Sequence, residues 1–343
     1  RGIINGFQYS KNADLFEALT LTIEMTADKL DHNLDTIRRE NPDIIIHDSL
    51  CAWGKHMASI LRVPAINLMH SYPVTKSSIS LTAGSIAFLI RAGVYNIKNH
   101  LKKTFKQKYG VDLSPGDLLI NKEGLNIVYT SKQMELKVYQ AEKTYRFVGP
   151  SLYFKNDPTD FPFDALHGKK VVYISLGTMH NNNPNFYKLC ISAFKNTDLF
   201  VVMSVGHHTN LQAFEDIPAN FLIRQNVPQQ KLLEHVDVFI THAGMNSVNE
   251  AICNGVPMLL FPHQLEQAMI ARKVAQLGMG IKMNIRSITP GKLLKKSTEL
   301  FSNSSYKKKA LALKSIFTRE EKTSHIRAAD EILRYMDVVL KEK

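Results

Sequence analysis

Cysteine is scarce in this sequence, and the few cysteines lie far apart. Cys51, Cys190 and Cys253 form no CxxC pair. A disulfide framework or a structural zinc site needs cysteines at short, regular spacings, so neither is expected, and we expect no metal site. Each cysteine lies in an apolar segment and is most simply a small core residue in a reducing compartment.

Long apolar runs are also lacking. No stretch approaches the roughly 18 apolar residues of a membrane-spanning helix. Neither a secretory signal peptide nor an internal repeat is visible. The chain is 44% hydrophobic and 22% charged, which is typical of a globular protein and not of a disordered one. We therefore expect a cytoplasmic, monomeric globular protein, and 343 residues suffice for two domains.

Acidic residues are in deficit, with a formal net charge of +12. The densest basic stretch, Lys98–Lys108, follows an apolar one at Ile86–Ile97. A solvated amphipathic helix explains it most simply, and a helix at an anionic membrane surface is the alternative. Arginines are not interleaved with aromatic residues, so nucleic acid is not an expected partner.

Apolar runs alternate with helical spacings along the chain, which predicts an α/β fold with parallel sheets covered on both faces. We predict an N-terminal domain over 1–150, a proline-containing linker at 151–168, a second domain over 169–322 and a C-terminal helical segment at 323–343. The predicted strands are 43–48, 64–69, 126–131, 146–149, 170–176, 199–205, 221–226, 236–241 and 257–262, and predicted helices lie at 50–62, 79–109 and 323–339.

The densest chemical signal follows the predicted strand ending at Thr241. His242 lies at the strand's carboxyl end, Gly244 permits a sharp turn, and Asn246 and Ser247 are good N-cap residues for a following helix. A helix N-terminus favours a pyrophosphate. Glu250, three residues after Ser247, can accept hydrogen bonds from two ribose hydroxyls. The alternative is purely structural: two capping residues and a histidine that fills a gap.

The segment resembles the donor-binding signature of the family 1 glycosyltransferases, most closely their bacterial macrolide-type branch. The similarity extends over nearly the whole chain. The motifs that carry it are Pro42–Met57, Val148-Gly149-Pro150, Ser175-Leu176-Gly177-Thr178, Asn226–Gln229, Leu232, Leu233, His235, Gly255-Val256-Pro257, Pro262, Glu266-Gln267, Ala271 and Gly278–Gly280.

The resemblance implies two Rossmann-like domains facing a cleft, the GT-B fold, and a UDP-sugar donor as co-substrate without a cofactor. It places the diphosphate on His242, Asn246 and Ser247, with Gly244 admitting the backbone. Ser175 and Thr178 would face the diphosphate from the opposite wall. The remaining donor contacts would be Glu250 to the ribose, Val227 and Gln229 to the uracil edge, and Glu266 and Gln267 to the sugar.

Two departures from the family's pattern affect the donor. Many relatives carry a tryptophan that stacks on the base where this chain has Asn226. UDP is therefore expected, with TDP as the alternative. Many relatives also have Asp-Gln where this chain has Glu266-Gln267, and the extra methylene could change which sugar is preferred.

An inverting transfer needs a base for the acceptor hydroxyl. No Asp-x-Asp metal motif occurs, so the helix N-terminus and side chains are expected to neutralise the diphosphate. The resemblance implies that Asp48 orients a catalytic histidine, the alternative for Asp48 being a helix N-cap. That histidine would lie in a Gly-His loop before Arg1, in a segment of about 50–60 residues.

Other histidines are weaker candidates for the base. His70 follows a strand end and is expected in the acceptor pocket, with a role as substitute base as the alternative. His47 adjoins Asp48, but neighbouring strand residues point to opposite faces. His207 and His208 are expected in a loop, since a paired-histidine metal site has no third ligand nearby.

The expected function is inverting, metal-independent transfer of a hexose to a hydroxyl of a small apolar acceptor of macrolide, flavonoid or phenol type. The apolar stretch Ser77–Tyr95 would help to form the acceptor pocket. The alternatives are a catalytically incomplete nucleotide-sugar-binding protein, a membrane-surface lipid glycosyltransferase and a sugar-nucleotide epimerase of the same fold.

Overall fold

The chain divides into two compact units, each with its own parallel sheet. A computed structural model describes residues 15–72, 100–112, 122–140, 142–152, 159–178, 181–207, 209–214 and 216–341. Unit 1 comprises 1–129, 135–148 and 325–343, and unit 2 comprises 130–134 and 149–324. The stretch predicted as a linker belongs to unit 2 wherever it is described, and Phe161 and Leu166 within it are buried.

Unit 1 is built on four parallel strands in the order β1-β2-β3-β4. Its elements are α1 (Leu15–Glu40), β1 (Ile45–Asp48), α2 (Ala52–Leu61), β2 (Ala65–Met69), α3 (His100–Tyr109), β3 (Leu125–Val128), α4 (Lys137–Gln140), β4 (Tyr145–Phe147) and α11 (Ser324–Val339).

Helices cover both faces of this sheet. On one side Ile23 and Leu30 of α1 pack with Met57 of α2 and Phe105 of α3. On the other side Ala328 of α11 packs with strand residues of β2 and β3. The basic helix α3 therefore has its apolar side in the core, which favours its interpretation as a solvated amphipathic helix. The described residues do not include 73–99. Residues 79–99 of the longer predicted helix and the stretches Ile86–Ile97 and Ser77–Tyr95 therefore lie outside them.

Unit 2 is built on six parallel strands in the order β10-β9-β8-β5-β6-β7. Its elements are β5 (Lys170–Ser175), α5 (Pro184–Phe194), β6 (Leu199–Ser204), β7 (Phe221–Arg224), α6 (Gln229–Leu232), β8 (Val238–Thr241), α7 (Met245–Asn254), β9 (Met258–Leu260), α8 (Leu265–Gln276), β10 (Gly280–Lys282), α9 (Pro290–Ser302) and α10 (Ser304–Glu321).

The strand order of unit 2 is that of a dinucleotide-binding Rossmann sheet. The chain starts in the middle with β5, runs outward through β6 and β7, and returns to the other side of β5 with β8. Ligands of such sheets bind at the reversal point, outside the carboxyl ends of the two central strands. Here those ends are Ser175 and Thr241, which are register partners.

All nine predicted strands are present, and each is shorter than predicted. β10 has only three residues and was not predicted, and neither was α1, which has 26. Among the described residues no helix is long and apolar enough to cross a membrane.

Candidate nucleotide-sugar site

The turn between β8 and α7 is held in an uncommon backbone conformation. Ala243 is fully buried and has a φ of +68°, the left-handed region that non-glycine residues rarely adopt. The helix begins at Met245 with Gly244 as its N-cap. The prediction that Asn246 and Ser247 cap this helix is therefore wrong. They lie in its first turn, where backbone N–H groups have no partner within a helix.

His242 lies between the backbones of two glycines. A Cβ atom at residue 177 would lie 2.5 Å from Cε1 of His242, and one at residue 244 would lie 2.6 Å from its Nε2. Gly177 also has a φ of +77°. Both positions therefore need glycine for the imidazole to fit. The half-buried ring thus joins the loop after β5 to the turn before α7.

The loop after β5 is fixed by Asn181, a residue for which no role was predicted. Its Nδ2 donates to the carbonyl oxygens of Gly177 (3.0 Å) and Thr178 (3.2 Å). A Cβ atom on Gly206 would lie 2.0 Å from the same nitrogen. Buried Asn181 therefore packs the loops after β5 and β6 together. Ser175 is buried at the end of β5, its Oγ accepts from the Gly177 N–H (3.3 Å), and Thr178 is exposed.

Glu250 is joined to the residues after β7 by two side-chain amides. Gln229 Nε2 donates to Glu250 Oε2 (2.5 Å) and to Ser247 Oγ (3.2 Å). Gln230 Nε2 donates to Glu250 Oε1 (3.2 Å). The buried Tyr173 hydroxyl donates to Gln229 Oε1 (2.8 Å). This network fixes the carboxylate about one helical turn beyond Asn246 and Ser247, the predicted diphosphate contacts. The predicted role of Gln229 at the uracil edge stays a prediction.

Burial raises the pKa of Glu250 above its ordinary value, against the hydrogen bonds from Gln229 and Gln230, which lower it. The carboxyl group therefore takes up a proton at a higher pH than an exposed glutamate does. The ionised carboxylate is the better acceptor for ribose hydroxyls. We therefore expect the affinity for nucleosides to fall on acidification, and to begin falling at a higher pH than it would with an exposed glutamate.

Replacing Glu250 by alanine is expected to weaken uridine and UDP binding alike, by about 1–3 kcal/mol, because the lost hydrogen bonds involve a charged acceptor. Isothermal titration calorimetry measures both affinities, and uridine has no phosphate whose titration complicates the pH dependence. Glu234→Ala, at an exposed glutamate before β8, is the matched control. Wild-type uridine affinity in Glu250→Ala would refute the ribose role.

The other predicted donor residues follow the carboxyl ends of strands β7 and β9 in unit 2. Val227 and Asn226 precede α6. Glu266 is half-buried in the first turn of α8. Gln267 is buried, and its Oε1 accepts from the backbone N–H groups of His263 (2.8 Å) and Gln264 (3.3 Å) as a capping box. Its predicted contact with the sugar stays a prediction.

His207 follows β6 and lies against Asn226, whose Nδ2 donates to its Nε2 (2.7 Å). His208 lies outside the described residues. Within the described ranges no group of three or more histidine, cysteine, aspartate or glutamate side chains could hold a metal ion.

Unit 1 brings together two predicted residues at the carboxyl end of its own sheet. Asp48 ends β1, and His70 directly follows β2. Asp48 Oδ2 lies 3.7 Å from His70 Nε2. The imidazole is stacked on Tyr129, with ring centroids 5.1 Å apart. The carboxylate therefore lies within ion-pair distance of the ring, although 3.7 Å is longer than a hydrogen bond.

The alternative for Asp48, a helix N-cap, is wrong. α2 starts at Ala52 with Cys51 as its N-cap, and Asp48 Oδ1 instead accepts from the backbone N–H of Leu50 (2.8 Å). His47 is buried, with its Nε2 3.3 Å from Glu123 Oε1. The His47 side chain therefore contacts Glu123. The histidine whose side chain lies beside the Asp48 carboxylate, at the ends of β1 and β2, is His70.

Sequence reasoning missed Asn181, Tyr173 and Gln230. Asn181 stands in a run of three asparagines with no local pattern, and its close contact with Gly206 comes from another loop, the one after β6. Tyr173 looks like an ordinary apolar strand residue. Gln230 directly follows Gln229, a predicted donor contact, and this adjacency was a weak signal that Gln230 also belongs to the site.

Comparison with known proteins supports the same family. Residues 163–328 match the family described as UDP-glucoronosyl and UDP-glucosyl transferase. The uncharacterized UDP-glucosyltransferase YojK of Bacillus subtilis (strain 168) is 29% identical over 314 residues, 89% of this chain and 78% of its own length. The NDP-glycosyltransferase YjiC of the same organism is 36% identical over 254 residues, 74% of this chain. That match spans 63% of the length of YjiC, less than two thirds.

A solved structure supports the fold. The glycotransferase of kitacinnamycin superimposes with a TM-score of 0.82 at 24% sequence identity, over 94% of this chain and 84% of that one. The predicted α/β class with two Rossmann-like units, the GT-B type, is thereby confirmed, as is the resemblance to family 1 glycosyltransferases. Residues 163–328 of the chain thus form a domain of the UDP-glucoronosyl and UDP-glucosyl transferase family.

Proposed function

We propose that the chain transfers a hexose from a UDP-sugar to a hydroxyl of a small apolar acceptor, with inversion at the anomeric carbon and without a metal ion. The observation that carries this proposal is the position of His242. It lies at the point where the strand order of unit 2 reverses, packed against Gly177 and preceding the N-terminus of α7.

Binding of the UDP-sugar donor is proposed from the charge complementarity between a diphosphate and the N-terminus of α7. A diphosphate at the start of α7 meets the positive end of a ten-residue helix. Asn246, Ser247 and His242 add side-chain donors there, and Glu250 accepts from the ribose one turn further along. The same groups stabilise UDP as it leaves, so no divalent cation is needed. Glu266 and Gln267 are proposed to contact the hexose.

The transfer itself requires one proton acceptor. The acceptor oxygen forms a bond to the anomeric carbon as the bond to the UDP oxygen breaks, and the hydroxyl proton passes to a histidine base. The proposal assigns Asp48 to orient that histidine. His70 is the candidate that lies beside Asp48 within the described residues, and a histidine in a preceding Gly-His loop, as the family resemblance implies, is the other.

An activity assay tests the proposal directly. The chain is incubated with UDP-glucose, or TDP-glucose, and a fluorescent phenol, with and without a chelator. We expect a β-glucoside and free UDP, a lower rate with TDP-glucose, and no change on chelation. A product of retained configuration, or loss of activity with the chelator, would contradict the mechanism. UDP binding without transfer would instead identify the chain as a catalytically incomplete nucleotide-sugar-binding protein.

A further inference from the structure

The loops after β6 and β7 remain paired beyond the ends of the two strands. The backbone N–H of Val205 donates to Arg224 O (3.0 Å) and that of Gly206 to Gln225 O (2.9 Å). Ser204 Oγ also donates to Gln225 O (3.3 Å). The next residues on each side are His207 and Asn226, so the sheet's own geometry brings these two side chains together at its carboxyl edge.

Asn226 holds the His207 ring. Its Nδ2 lies 2.7 Å from Nε2 and 3.3 Å from Nδ1 of the imidazole. On the other side Gln225 Nε2 donates to the His207 carbonyl oxygen (3.4 Å). Asn226 and His207 are both exposed, so the ring is held through one nitrogen while part of its surface faces solvent. An oriented aromatic ring at the edge of a ligand site is a stacking surface.

The position of a bound base follows from the ribose site. Glu250 is bonded to Gln229 and Gln230, the first residues of α6. A ribose on Glu250 therefore lies beside the start of α6. The chain that leads into α6 is Asn226, Val227 and Pro228, and a base attached to that ribose extends toward this segment.

We propose that His207, held by Asn226, supplies the aromatic face on which the nucleobase of the donor stacks. This inference rests on the proposed function, because it presupposes a nucleoside diphosphate at α7. The chain carries a side chain at position 226 that cannot stack as an aromatic ring does, and it uses that side chain to fix an aromatic ring from the neighbouring loop. Stacking on an aromatic side chain tolerates any base, so His207 contributes affinity and leaves base identity to other groups.

Calorimetry with uridine and UDP tests the inference on the full chain. His207→Ala is expected to weaken both ligands by the same factor, about 5- to 100-fold. His207→Phe, which keeps a ring, is expected to stay within about threefold of the wild type. His167→Ala is the matched control, at an exposed histidine before the amino end of β5, and is expected to bind like the wild type.

The outcomes separate the stacking role from the donor site. Wild-type protein that binds UDP and uridine, with unchanged uridine affinity in His207→Ala, overturns the stacking role alone. A loss confined to UDP, or no recovery in His207→Phe, also overturns it, since His207 would then act on the diphosphate or through a hydrogen bond. Wild-type protein that binds neither ligand overturns the proposed function together with the inference.

Discussion

Replacing Asp48 by asparagine is expected to lower kcat by about 10²- to 10⁴-fold, the usual contribution of a positioned acid–base group. An asparagine keeps the shape of the side chain and its hydrogen bond to the Leu50 N–H but removes the negative charge. A base histidine beside it then loses both its orienting partner and the stabilisation of its protonated form. UDP affinity is expected to be unchanged, because the donor groups all belong to unit 2.

Steady-state kinetics with a saturating UDP-sugar measure this effect. Asp43→Asn is the matched control, since Asp43 is exposed just before the amino end of β1, away from its carboxyl end. A normal kcat in Asp48→Asn would remove Asp48 from the mechanism.

His70→Gln then identifies the histidine. If His70 takes the proton, kcat falls as far as in Asp48→Asn, and combining the two substitutions adds little, because residues that act as a unit are not additive. If His70 only contacts the acceptor, the KM for the acceptor rises and kcat stays within a few-fold of the wild type.

Replacing Gly177 by alanine is expected to abolish most UDP binding. The new Cβ atom would lie 2.5 Å from Cε1 and 2.7 Å from Nε2 of His242, so the imidazole must leave its position. The φ of +77° adds a backbone cost of about 1–2 kcal/mol for a residue with a side chain. We expect the affinity for UDP to fall at least about tenfold, the loss expected for a hydrogen bond to a charged group.

The Gly168→Ala variant separates the effect of the contact with His242 from the effect of the positive φ. Gly168 has a φ of +71°, but a Cβ atom there meets nothing within 4 Å. It should therefore lose a similar amount of stability in a denaturant titration and keep its affinity for UDP. A Gly177→Ala protein that binds UDP as tightly as Gly168→Ala does would show that the contact with His242 is irrelevant. In a double-mutant cycle with His242→Ala, the two losses should not add, because both remove the same ring.

Local sequence patterns predicted the strand, turn and helix around His242, and they failed where tertiary contacts decide. Asn246 and Ser247 are strong capping residues by type, yet the backbone of Gly244, following left-handed Ala243, occupies the cap. The packing role of Asn181 could not be found, because Gly206, against which it packs, lies in another loop.

The two elements that were not predicted, α1 and β10, were missed for different reasons. In α1 the residues Ile23, Ala27, Leu30, Leu34 and Ile37 recur at helical spacing and pack in the core, so this helix was recognisable. β10 has three residues, too few for any periodicity, and its place in the sheet is set by pairing with β9.

The most direct test of the diphosphate site is a comparison of UDP and uridine binding in the wild type and His242→Ala by calorimetry. The two ligands share the base and the ribose and differ in the diphosphate. We predict that wild-type protein binds UDP more tightly than uridine, and that His242→Ala loses about 10- to 100-fold for UDP with little change for uridine. Equal losses for both ligands, or none for UDP, would contradict a diphosphate bound at His242.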